Sequence, residues 1–573
     1  MRKATIMLPP FKPASDFVPP GLDATRWESL EPLYRTLQER TLKCAGCLET
    51  LILDRGELDA AVSEASATLH INMTCHTDDP AANKAYVDFI EQVEPRLKQA
   101  GDALDRKIAQ SPFVGDLDAA RYAVYLRNLR LGIELFRPES IPLETELAKL
   151  DQEYAQICGA MTVQFQGREC TLPQMARFQE ETDRSVREAA WRTVADRRLR
   201  DRAAIDAIYQ RMVDLRQRVA ANAGFANYRD YAHRAKRRFD YAPADCDAFA
   251  RGVERHIVPA LRRLHRQRAA ALGVERLRPW DLAVDPLGRP PLRPFGTPAE
   301  LVERTSRLFH RMDPQLGGLF DSLRGGGCLD LESRKGKAPG GYQSNRDRQR
   351  MPFIFMNAAG VQRDVETMVH EAGHAFHSLL SRADPLLAYR SDLPLEFAEV
   401  ASMSMELTSY PYLDEFYGPA DADRARRVHL EQLASMLPWI ATIDQFQQWI
   451  YTHPGHGGAE RTAAWLSVLD RFGGEVDWSG LDEVKSALWH RQLHLFGAPF
   501  YYIEYGIAQL GALQVWANFE RDRSSALAAY KRGLTLGGSR PLPDLFNAAG
   551  IDLDLTPGRI ERCWSQVERA LAA

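Results

Sequence analysis

Two histidines and a glutamate stand at a spacing that suits a catalytic metal ion. His370, Glu371 and His374 form the pattern H-E-x-x-H within the segment DVETMVHEAGHAFHSLL. Two histidines about one helical turn apart would project both imidazoles from one face of an α-helix toward a single ion. The glutamate between them would lie beside that ion, where it could take a proton from a water molecule. The pattern therefore predicts a zinc site with Glu371 as its general base.

The residues around the motif predict the helix that the metal site needs. Apolar side chains recur at three- and four-residue spacing from Val365 to Leu379, as on a helix with one buried face. Asp364 and Glu366 place acidic side chains in the first turn, where the helix dipole favours them. We expect one helix from Asp364 to Leu380 and a second from Pro394 to Ser409.

A catalytic zinc site takes a third protein ligand, often a glutamate, and keeps a position for water. The second predicted helix offers Glu396 and Glu399, and spacing alone does not choose between them. Glu406 lies two helical turns beyond Glu399. There it could accept the free N–H of a ligand histidine and so fix the tautomer of that ring.

His377 stands two turns after His370 and would face the same way. It is either a contact of the metal ligands or a partly buried histidine with its own hydrogen-bond partner. Metzincins require glycine at this position and histidine three residues later. His377 and Leu380 occupy those positions, so that class is excluded.

A group of hydrogen-bond donors appears late in the chain, in the segment HLFGAPFYYIEYG from His494. Tyr501 and Tyr505 are one helical turn apart and His494 precedes them, so the three donors could reach one site together. Such donors can stabilise the oxyanion that forms when a carbonyl is attacked. The same residues could instead be aromatic side chains that pack a helix.

Composition and charge exclude several classes of function. The 573 residues are 45% hydrophobic and carry a formal net charge of -4, which leaves no positive excess for a nucleic acid backbone. No apolar run is long enough to span a membrane, and Pro9 and Pro10 interrupt the apolar residues after the basic start. We therefore expect a soluble, cytoplasmic protein without nucleic acid or membrane partners.

The cysteines are scattered through the chain, which does not suggest a disulfide framework. Cys44 and Cys47 form a C-x-x-C pair within a segment that has a helical pattern and no preceding strand. We interpret them as ordinary residues of a helix rather than as a redox or zinc site.

Helical patterns dominate the chain on both sides of a loop-rich middle. Residues 27 to about 270 predict long packed helices, and their arginine-rich part from Arg177 to Arg238 predicts a solvated, salt-bridged face. Prolines and glycines between about Leu272 and Gly360 predict loops and short strands, with a clear strand at 352–357. The chain is thus expected to be mainly α with a small β element.

Several segments resemble the thimet oligopeptidase and oligoendopeptidase F family of zinc metallopeptidases, with the closer similarity to the oligoendopeptidase F branch. They are GKAPGGY (336–342), MPFIFMN (351–357), HEAGHAFH (370–377), FAEVAS (397–402) and PFYYIEYG (499–506). The resemblance implies a mainly α, two-lobed helical metallopeptidase with a deep central channel and a small β-sheet beside the zinc-binding helix. Its domains would be an N-terminal helical region (1–110), an oligoendopeptidase-F-like helical region (111–195) and a catalytic domain (196–573).

The resemblance also implies roles for individual residues. His370, His374 and Glu399 would bind one zinc ion and Glu371 would be the general base. Tyr501, Tyr505 and His494 would bind the substrate carbonyl.

In the family pattern an aliphatic residue and a tyrosine stand where this chain has Tyr502 and Ile503, so Tyr502 could replace Tyr501. Phe353, Phe355 and Tyr342 would join Tyr502 in binding substrate, because the strand from Phe353 to Asn357 resembles the sheet edge that pairs with an extended peptide.

The hypothesis is a zinc-dependent endopeptidase that hydrolyses short unstructured peptides. One alternative is a zinc carboxypeptidase, because another helical H-E-x-x-H family removes C-terminal residues. A second is a non-catalytic binding protein that keeps a structural metal, although a structural site has no use for the base Glu371. Cobalt or manganese could occupy the same ligands.

Overall fold

The computed structural model describes residues 11–572, and helices dominate it. The first half of the chain contains α1 (Trp27–Glu39), α2 (Ala45–Cys75), α3 (Pro80–Gln92), α4 (Glu94–Ala109), α5 (Ala119–Leu135), α6 (Ile141–Gly159), α7 (Ala176–Gln179), α8 (Arg184–Arg200), α9 (Arg202–Asn222), α10 (Tyr228–Ala235), α11 (Pro243–His256) and α12 (Val258–Leu272). The second half contains α13 (Pro298–Met312), α14 (Pro314–Gly325), α15 (Gln362–Ser381), α16 (Leu387–Arg390), α17 (Leu395–Thr408), α18 (Pro419–Thr452), α19 (Gly458–Phe472), α20 (Asp482–Ser486), α21 (Leu493–Gly497), α22 (Tyr502–Arg521), α23 (Arg523–Thr535), α24 (Leu542–Ala548) and α25 (Pro557–Ala572). Short 3₁₀ segments lie at Val114–Asp116, Pro138–Ser140, Pro279–Asp281, Tyr410–Glu415 and Leu488–Arg491.

Two small sheets accompany the helices. Strands β1 (Thr162–Phe165) and β2 (Arg168–Thr171) form an antiparallel hairpin. Strands β3 (Leu329–Glu332), β4 (Tyr342–Arg346) and β5 (Met351–Ala358) form a sheet in the order β3-β5-β4, with β3 parallel and β4 antiparallel to β5. This second sheet packs against α15 through β5.

The helices pack around separate apolar cores. The first core is built from α1 to α5 and also takes in Leu386 and Tyr389 from the connection between α15 and α17. A larger core surrounds α15, α17 and α22, and one face of β5 contributes Ile354 and Met356 to it. The expected mainly α fold with a small sheet beside the motif helix is confirmed. None of the helices between residues 11 and 572 is long and apolar enough to cross a membrane.

The predicted boundaries of the motif helices hold closely. The helix expected from Asp364 to Leu380 is α15, and the one expected from Pro394 to Ser409 is α17. The α15 helix begins where it does because the Asp364 carboxylate accepts the backbone N–H groups of Ala359, Gly360 and Val361 at 2.7 to 2.9 Å. These N–H groups would otherwise lack partners at the start of the helix.

The secondary structure differs from the prediction in two regions. The region expected to be loop and short strand contains α13 and α14, which start with proline after the capping side chains Thr297 and Asp313. The region expected to form long packed helices also contains the β1–β2 hairpin, which was not predicted. Its turn residues Gln166 and Gly167 have φ of 49° and 75°, as a two-residue type I′ turn requires.

The predicted domain boundary at residue 110 falls between α4 and α5, two helices that share the first core. The three-part division stays a prediction. Pro9 and Pro10, on which the expectation of no signal peptide depends, lie outside the described residues.

Candidate active site

A glycine brings the two motif helices into direct contact. A Cβ atom on Gly373 would lie 2.5 Å from the carbonyl oxygen of Ala401 and 2.6 Å from the Cα of Ser402. Both distances are far below carbon contact distance, so no larger residue fits between α15 and α17 as they stand. One of the two variable positions of the H-E-x-x-H pattern is thus occupied by the residue that allows α17 to approach.

The close approach carries Glu399 to the two motif histidines. Its Oε2 atom lies 3.3 Å from Nε2 of His370 and 3.4 Å from Nε2 of His374. The three ligand atoms all lie within 4.8 Å of one another, and Glu399 is only 1% exposed. Two imidazole nitrogens and one carboxylate are the donor set of a catalytic zinc site, so these residues fit the predicted metal.

Glu396, the competing candidate on spacing, points elsewhere. Its Oε1 atom accepts a hydrogen bond from the hydroxyl of Tyr241 at 2.6 Å. Glu396 is buried, but it does not join the ligand cluster. Of the two glutamates, the structure therefore brings Glu399 and not Glu396 to the histidines, and the ligand role of Glu399 stays a prediction.

Glu399 is itself held by two hydroxyl groups. Ser402 donates to Oε2 at 2.8 Å and Tyr501 donates to Oε1 at 2.6 Å. These hydrogen bonds favour the ionised carboxylate and fix its orientation. Tyr501 therefore contacts a candidate ligand, which was not part of its predicted role.

A chain of buried polar groups extends behind His370. Its Nδ1 atom lies 2.6 Å from Oε1 of Glu406, whose Oε2 lies 2.9 Å from Nε2 of His429. The Nδ1 atom of His429 lies 2.8 Å from the Tyr410 hydroxyl. Burial alone would raise the pKa of Glu406, but the hydrogen bonds from His370 and His429 lower it to about 2. An ionised Glu406 accepts a hydrogen bond from the Nδ1–H of His370. The Nε2 atom of His370 then carries no proton and can bind a metal.

The surroundings of Glu371 suit a general base. It is buried, and its Oε2 atom makes no hydrogen bond to any of the described residues. Burial raises the pKa of this carboxyl group, which makes it a better proton acceptor than an exposed glutamate. Gly341 approaches its other oxygen closely, since a Cβ there would be 3.6 Å from Oε1.

His377 fits neither of the predicted alternatives. It is 0% exposed, and neither ring nitrogen has a hydrogen-bond partner among the described residues. Its ring packs edge-on against Phe397 at 5.6 Å between centroids. Burial lowers the pKa of His377 to about 3, so the ring is a neutral packing group.

The predicted donor group is assembled opposite the metal ligands. His494 Nε2 lies 3.1 Å from the hydroxyl of Tyr505. The His494 ring also lies 5.4 Å from the ring of Tyr501 and 5.1 Å from that of Tyr502. The structure thus brings His494 together with all three tyrosines of the segment.

Hydrogen bonds on the far side of His494 determine which ring nitrogen carries its proton. The indole N–H of Trp439 donates to Oε1 of Gln492 at 3.0 Å, and the Nε2 amide of Gln492 lies 2.8 Å from Nδ1 of His494. Because indole can only donate, the Gln492 oxygen faces Trp439 and its NH₂ group faces His494. Nδ1 is therefore an acceptor and Nε2 carries the proton.

His494 is neutral as well as fixed in tautomer. Burial lowers its pKa to about 4, far below its ordinary range. The Nε2–H group consequently points toward Tyr505 as a donor across the neutral pH range. Gln492, Trp439 and His429 were not predicted as site residues, because no local spacing in the sequence relates them to the motif.

The predicted substrate-binding aromatics of the sheet are largely core residues. Phe353 is 8% exposed and Phe355 is 0% exposed. The Tyr342 ring stacks on Phe355 at 4.6 Å, and the Tyr342 hydroxyl lies 2.6 Å from Oγ1 of Thr74. A substrate cannot reach Phe355 without displacing this packing.

The prediction that the strand from Phe353 is a sheet edge is also wrong. It forms β5, whose backbone pairs with β3 on one side and β4 on the other. The edge beside the site is β4, which begins at Tyr342 directly after Gly341. Because Gly341 lies against Glu371, this edge runs past the candidate base.

Comparison with known proteins agrees with the geometry. The model of peptidase family M3 matches residues 177–562, and the model of the peptidase M3 N-terminal domain matches residues 22–136. The larger match covers more than half of the chain. The protein therefore belongs to peptidase family M3.

Within that family the chain is similar to oligoendopeptidase F proteins. It is 24% identical over 235 residues to an oligoendopeptidase F homologue of Borreliella burgdorferi, covering 39% of this chain and 38% of that protein. It is 23% identical over 338 residues to the oligopeptidase PepF of Bacillus subtilis, covering 57% of this chain and 48% of that protein. The chain thus aligns with less than half the length of each of these relatives.

Solved structures match over nearly the whole chain. A structure of PZ peptidase A with an inhibitor is 27% identical, with a TM-score of 0.92 over 96% of this chain and 97% of that one. The oligoendopeptidase F of Enterococcus faecium, 17% identical, has a TM-score of 0.63 over 95% of this chain and 96% of that one. Because its sequence identity is only 17%, the second match supports the fold and nothing further.

Proposed function

We propose that the protein is a zinc-dependent endopeptidase that hydrolyses short unstructured peptides, with Glu371 as its general base. The observation that carries the proposal is the convergence of His370, His374 and Glu399 beside a buried glutamate with a free oxygen. Membership of peptidase family M3 supports a peptide substrate. A bound zinc ion would polarise the scissile carbonyl and acidify a water molecule.

Glu371 would accept the proton of the attacking water and pass it to the leaving amine. Its raised pKa suits both steps, because a base must also give the proton back. Such a role accounts for roughly a hundred- to ten-thousandfold in rate. Gly341 itself places no side chain in the space beside this carboxylate.

Tyr505 and His494 would stabilise the oxyanion. The fixed Nε2–H of His494 orients the Tyr505 hydroxyl, whose own proton is then free to point toward substrate. Preorganised donors of this kind cost no rearrangement during the reaction. Tyr501 would act differently, by holding Glu399.

An extended peptide would pair through its main chain with the β4 edge, next to Glu371. Main-chain pairing recognises extended backbone and tolerates many side chains, which favours unstructured peptides over folded proteins. Such binding needs no chain end, which favours an endopeptidase over a carboxypeptidase. Cleavage of a quenched peptide blocked at both termini would distinguish the two activities.

Two variants test the assigned roles. We expect Glu371→Gln to retain one zinc per chain and to lose roughly a hundred- to ten-thousandfold in kcat, because the amide cannot accept the proton. We expect Glu399→Ala to lose the metal. Zinc is measured by elemental analysis and turnover with the doubly blocked peptide.

Glu396→Gln is the matched control, since it changes a neighbouring buried glutamate of α17 that lies outside the ligand cluster. It should keep both zinc and activity. Cleavage by Glu371→Gln at the unmutated rate would refute the mechanism, and zinc retention by Glu399→Ala would refute the ligand assignment.

A further inference from the structure

Three arginines near the donor group differ from most arginines of the molecule because they lack a close carboxylate partner. We call Arg198, Arg363 and Arg491 the arginine cluster. Among the described residues, neither Arg198 nor Arg491 makes an ion pair within 4.0 Å, and Arg363 reaches only Glu366, at 3.9 Å. Elsewhere, arginines commonly hold a carboxylate at hydrogen-bond distance, as Arg211 holds Glu146 at 2.6 Å.

Arg491 is exposed to solvent but closely surrounded by protein. Its guanidinium lies 5.2 Å from the ring of Trp439. The surrounding protein limits hydration of the guanidinium, and this desolvation together with the positive charge of Arg198 lowers the pKa of Arg491 to about 10. The contact with Trp439 is a cation–π interaction, which attracts the guanidinium but does not neutralise its charge. Because Arg491 is exposed, its guanidinium can also contact a ligand that approaches from solvent.

The arginine cluster borders the candidate active site through Tyr502. Burial raises the pKa of the Tyr502 hydroxyl, and the rise is opposed first by hydrogen bonding to Gln492 and Trp439 and then by the positive charges of Arg363 and Arg491. The Tyr502 ring lies 5.1 Å from that of His494 and 5.3 Å from that of Tyr505. Positive charge is therefore concentrated next to the residues that would bind the substrate carbonyl.

The chain around Arg491 also faces the proposed peptide path. Leu493 contacts Gly340, which lies two residues before β4, since a Cβ on Gly340 would be 3.4 Å from a Leu493 methyl group. Gly341, the next residue, lies against Glu371. A peptide running along β4 past Glu371 would thus pass close to the segment that carries Arg491.

Unpaired positive charges placed near one another raise the free energy of the folded protein. An anionic ligand would remove that cost and gain charge-assisted hydrogen bonds, for which the planar guanidinium is well suited. The anion that a peptide carries is a carboxylate. It comes either from an aspartate or glutamate side chain or from a free C-terminus.

We propose that Arg491, supported by Arg198 and Arg363, binds a carboxylate of the peptide substrate and gives the enzyme a preference for acidic peptides. The proposal rests on the proposed function, since it assigns a specificity to the same site. The arginine-rich part of the sequence, expected to be only a solvated face, would then contribute Arg198 to substrate recognition.

The test uses quenched peptides blocked at both termini that differ in a single residue, Glu, Gln or Lys, moved through the positions on each side of the cut. A second set has no acidic side chain and carries either a free or an amidated C-terminus. We expect one position to favour Glu over Gln by roughly tenfold in kcat/KM, mainly through KM. Preference in the first set identifies a side-chain carboxylate, and preference in the second a C-terminal one.

Arg491→Gln should reduce the preference for the carboxylate to within twofold while neutral peptides are cleaved at the unmutated rate. Arg523→Gln is the matched control, because Arg523 is also exposed and also lies over an aromatic ring, Phe519, at 5.5 Å. It should leave the preference intact. The preference should also weaken at high ionic strength, which screens the arginine cluster.

Binding measured separately distinguishes this inference from the proposed function. Fluorescence polarisation of labelled Glu and Gln peptides on the Glu371→Gln variant reports affinity without turnover. Tighter binding of the Glu peptide that Arg491→Gln abolishes supports the inference even if no peptide is cleaved. Equal binding of the Glu, Gln and free-terminus peptides, or a preference that survives Arg491→Gln, overturns it.

Discussion

The two sides of the candidate site are built in different ways. The metal side consists of two adjacent helices, and the close contact at Gly373 fixes the positions of its ligands. The donor side consists of His494 and three tyrosines, and a relay of side chains from Trp439 through Gln492 fixes its orientation. Helical spacing and close backbone packing position the residues of the metal side. Side-chain hydrogen bonds between distant parts of the chain position those of the donor side.

This difference determines how each side should respond to mutation. A change in the contact between α15 and α17 should disturb all metal ligands together, because they share two rigid helices. A change in the donor side should leave the metal in place and alter only the rate or its dependence on pH. The following predictions test that contrast, beginning with the largest effect.

Gly373→Ala should remove most of the bound zinc and nearly all turnover. The added methyl group would lie 2.5 Å from a backbone oxygen, so the two helices must separate. Such overpacking costs about 1–3 kcal/mol in the free energy of unfolding. Zinc content, thermal unfolding and turnover measure the three effects.

Gly318→Ala in α14 is the control for that experiment, because nothing lies within 4 Å of a Cβ at Gly318. This helical position should gain up to about 1 kcal/mol in the free energy of unfolding and keep its zinc. If Gly373→Ala bound zinc as tightly as the control, the contact would not determine the ligand geometry.

Tyr505→Phe and Tyr501→Phe should impair the protein in different ways, the first through kcat and the second through zinc affinity. Tyr505→Phe should lower kcat by roughly a hundredfold with zinc content unchanged, because one oxyanion donor is lost. Tyr501→Phe should weaken zinc affinity by about tenfold, because its hydroxyl holds Glu399. Added zinc should therefore restore activity to the second variant only. Rescue of Tyr505→Phe by zinc would show that the two roles are reversed.

Gln492→Glu should make kcat, relative to that of the unmutated protein, decrease as pH rises. In the unmutated protein the pKa of His494 is about 4, so its Nε2–H donor persists from pH 5 to 8. A carboxylate at 492 raises that pKa. Below the new pKa both ring nitrogens carry protons and the donor to Tyr505 persists. Above it the remaining proton moves to Nδ1, next to the carboxylate, and the donor is lost.

We expect kcat of Gln492→Glu relative to the unmutated protein to decrease about tenfold between pH 6 and pH 8. Gln492→Met, which neither donates nor accepts a strong hydrogen bond, should show a lower but constant ratio. Nitrogen NMR of the His494 ring reports the tautomer directly. A constant ratio for Gln492→Glu would contradict the assigned orientation.

The sequence predicted the metal side well because its information is local. One helical turn relates His370 to His374, and two turns relate Glu399 to Glu406, so the periodicity of a helix was sufficient. Spacing could not choose between Glu396 and Glu399, because the choice depends on how α17 packs on α15. Residue resemblance to the family, rather than geometry, favoured Glu399.

The remaining features depend on contacts between distant parts of the chain. His429 and Gln492 carry no motif, and only the packed structure relates them to His370 and His494. The strand at Phe353 was predicted correctly, but whether a strand lies at the centre or the edge of a sheet depends on its neighbours. Helices α13 and α14 were not predicted, because the surrounding prolines and glycines indicate loops and obscure the helix-start signals of the capping residues.

The connection between α15 and α17 is anchored in the N-terminal part of the chain. Leu386 and Tyr389 pack in the first core, and the Tyr389 hydroxyl donates to the backbone oxygen of Arg121 at 2.6 Å. Asp384 of the same connection pairs with the Arg121 side chain. Any displacement of α1 to α5 would therefore pull on the segment that joins the helix of His370 to the helix of Glu399. The N-terminal helices thus stabilise the geometry of the candidate site, although they contribute none of its predicted reacting residues.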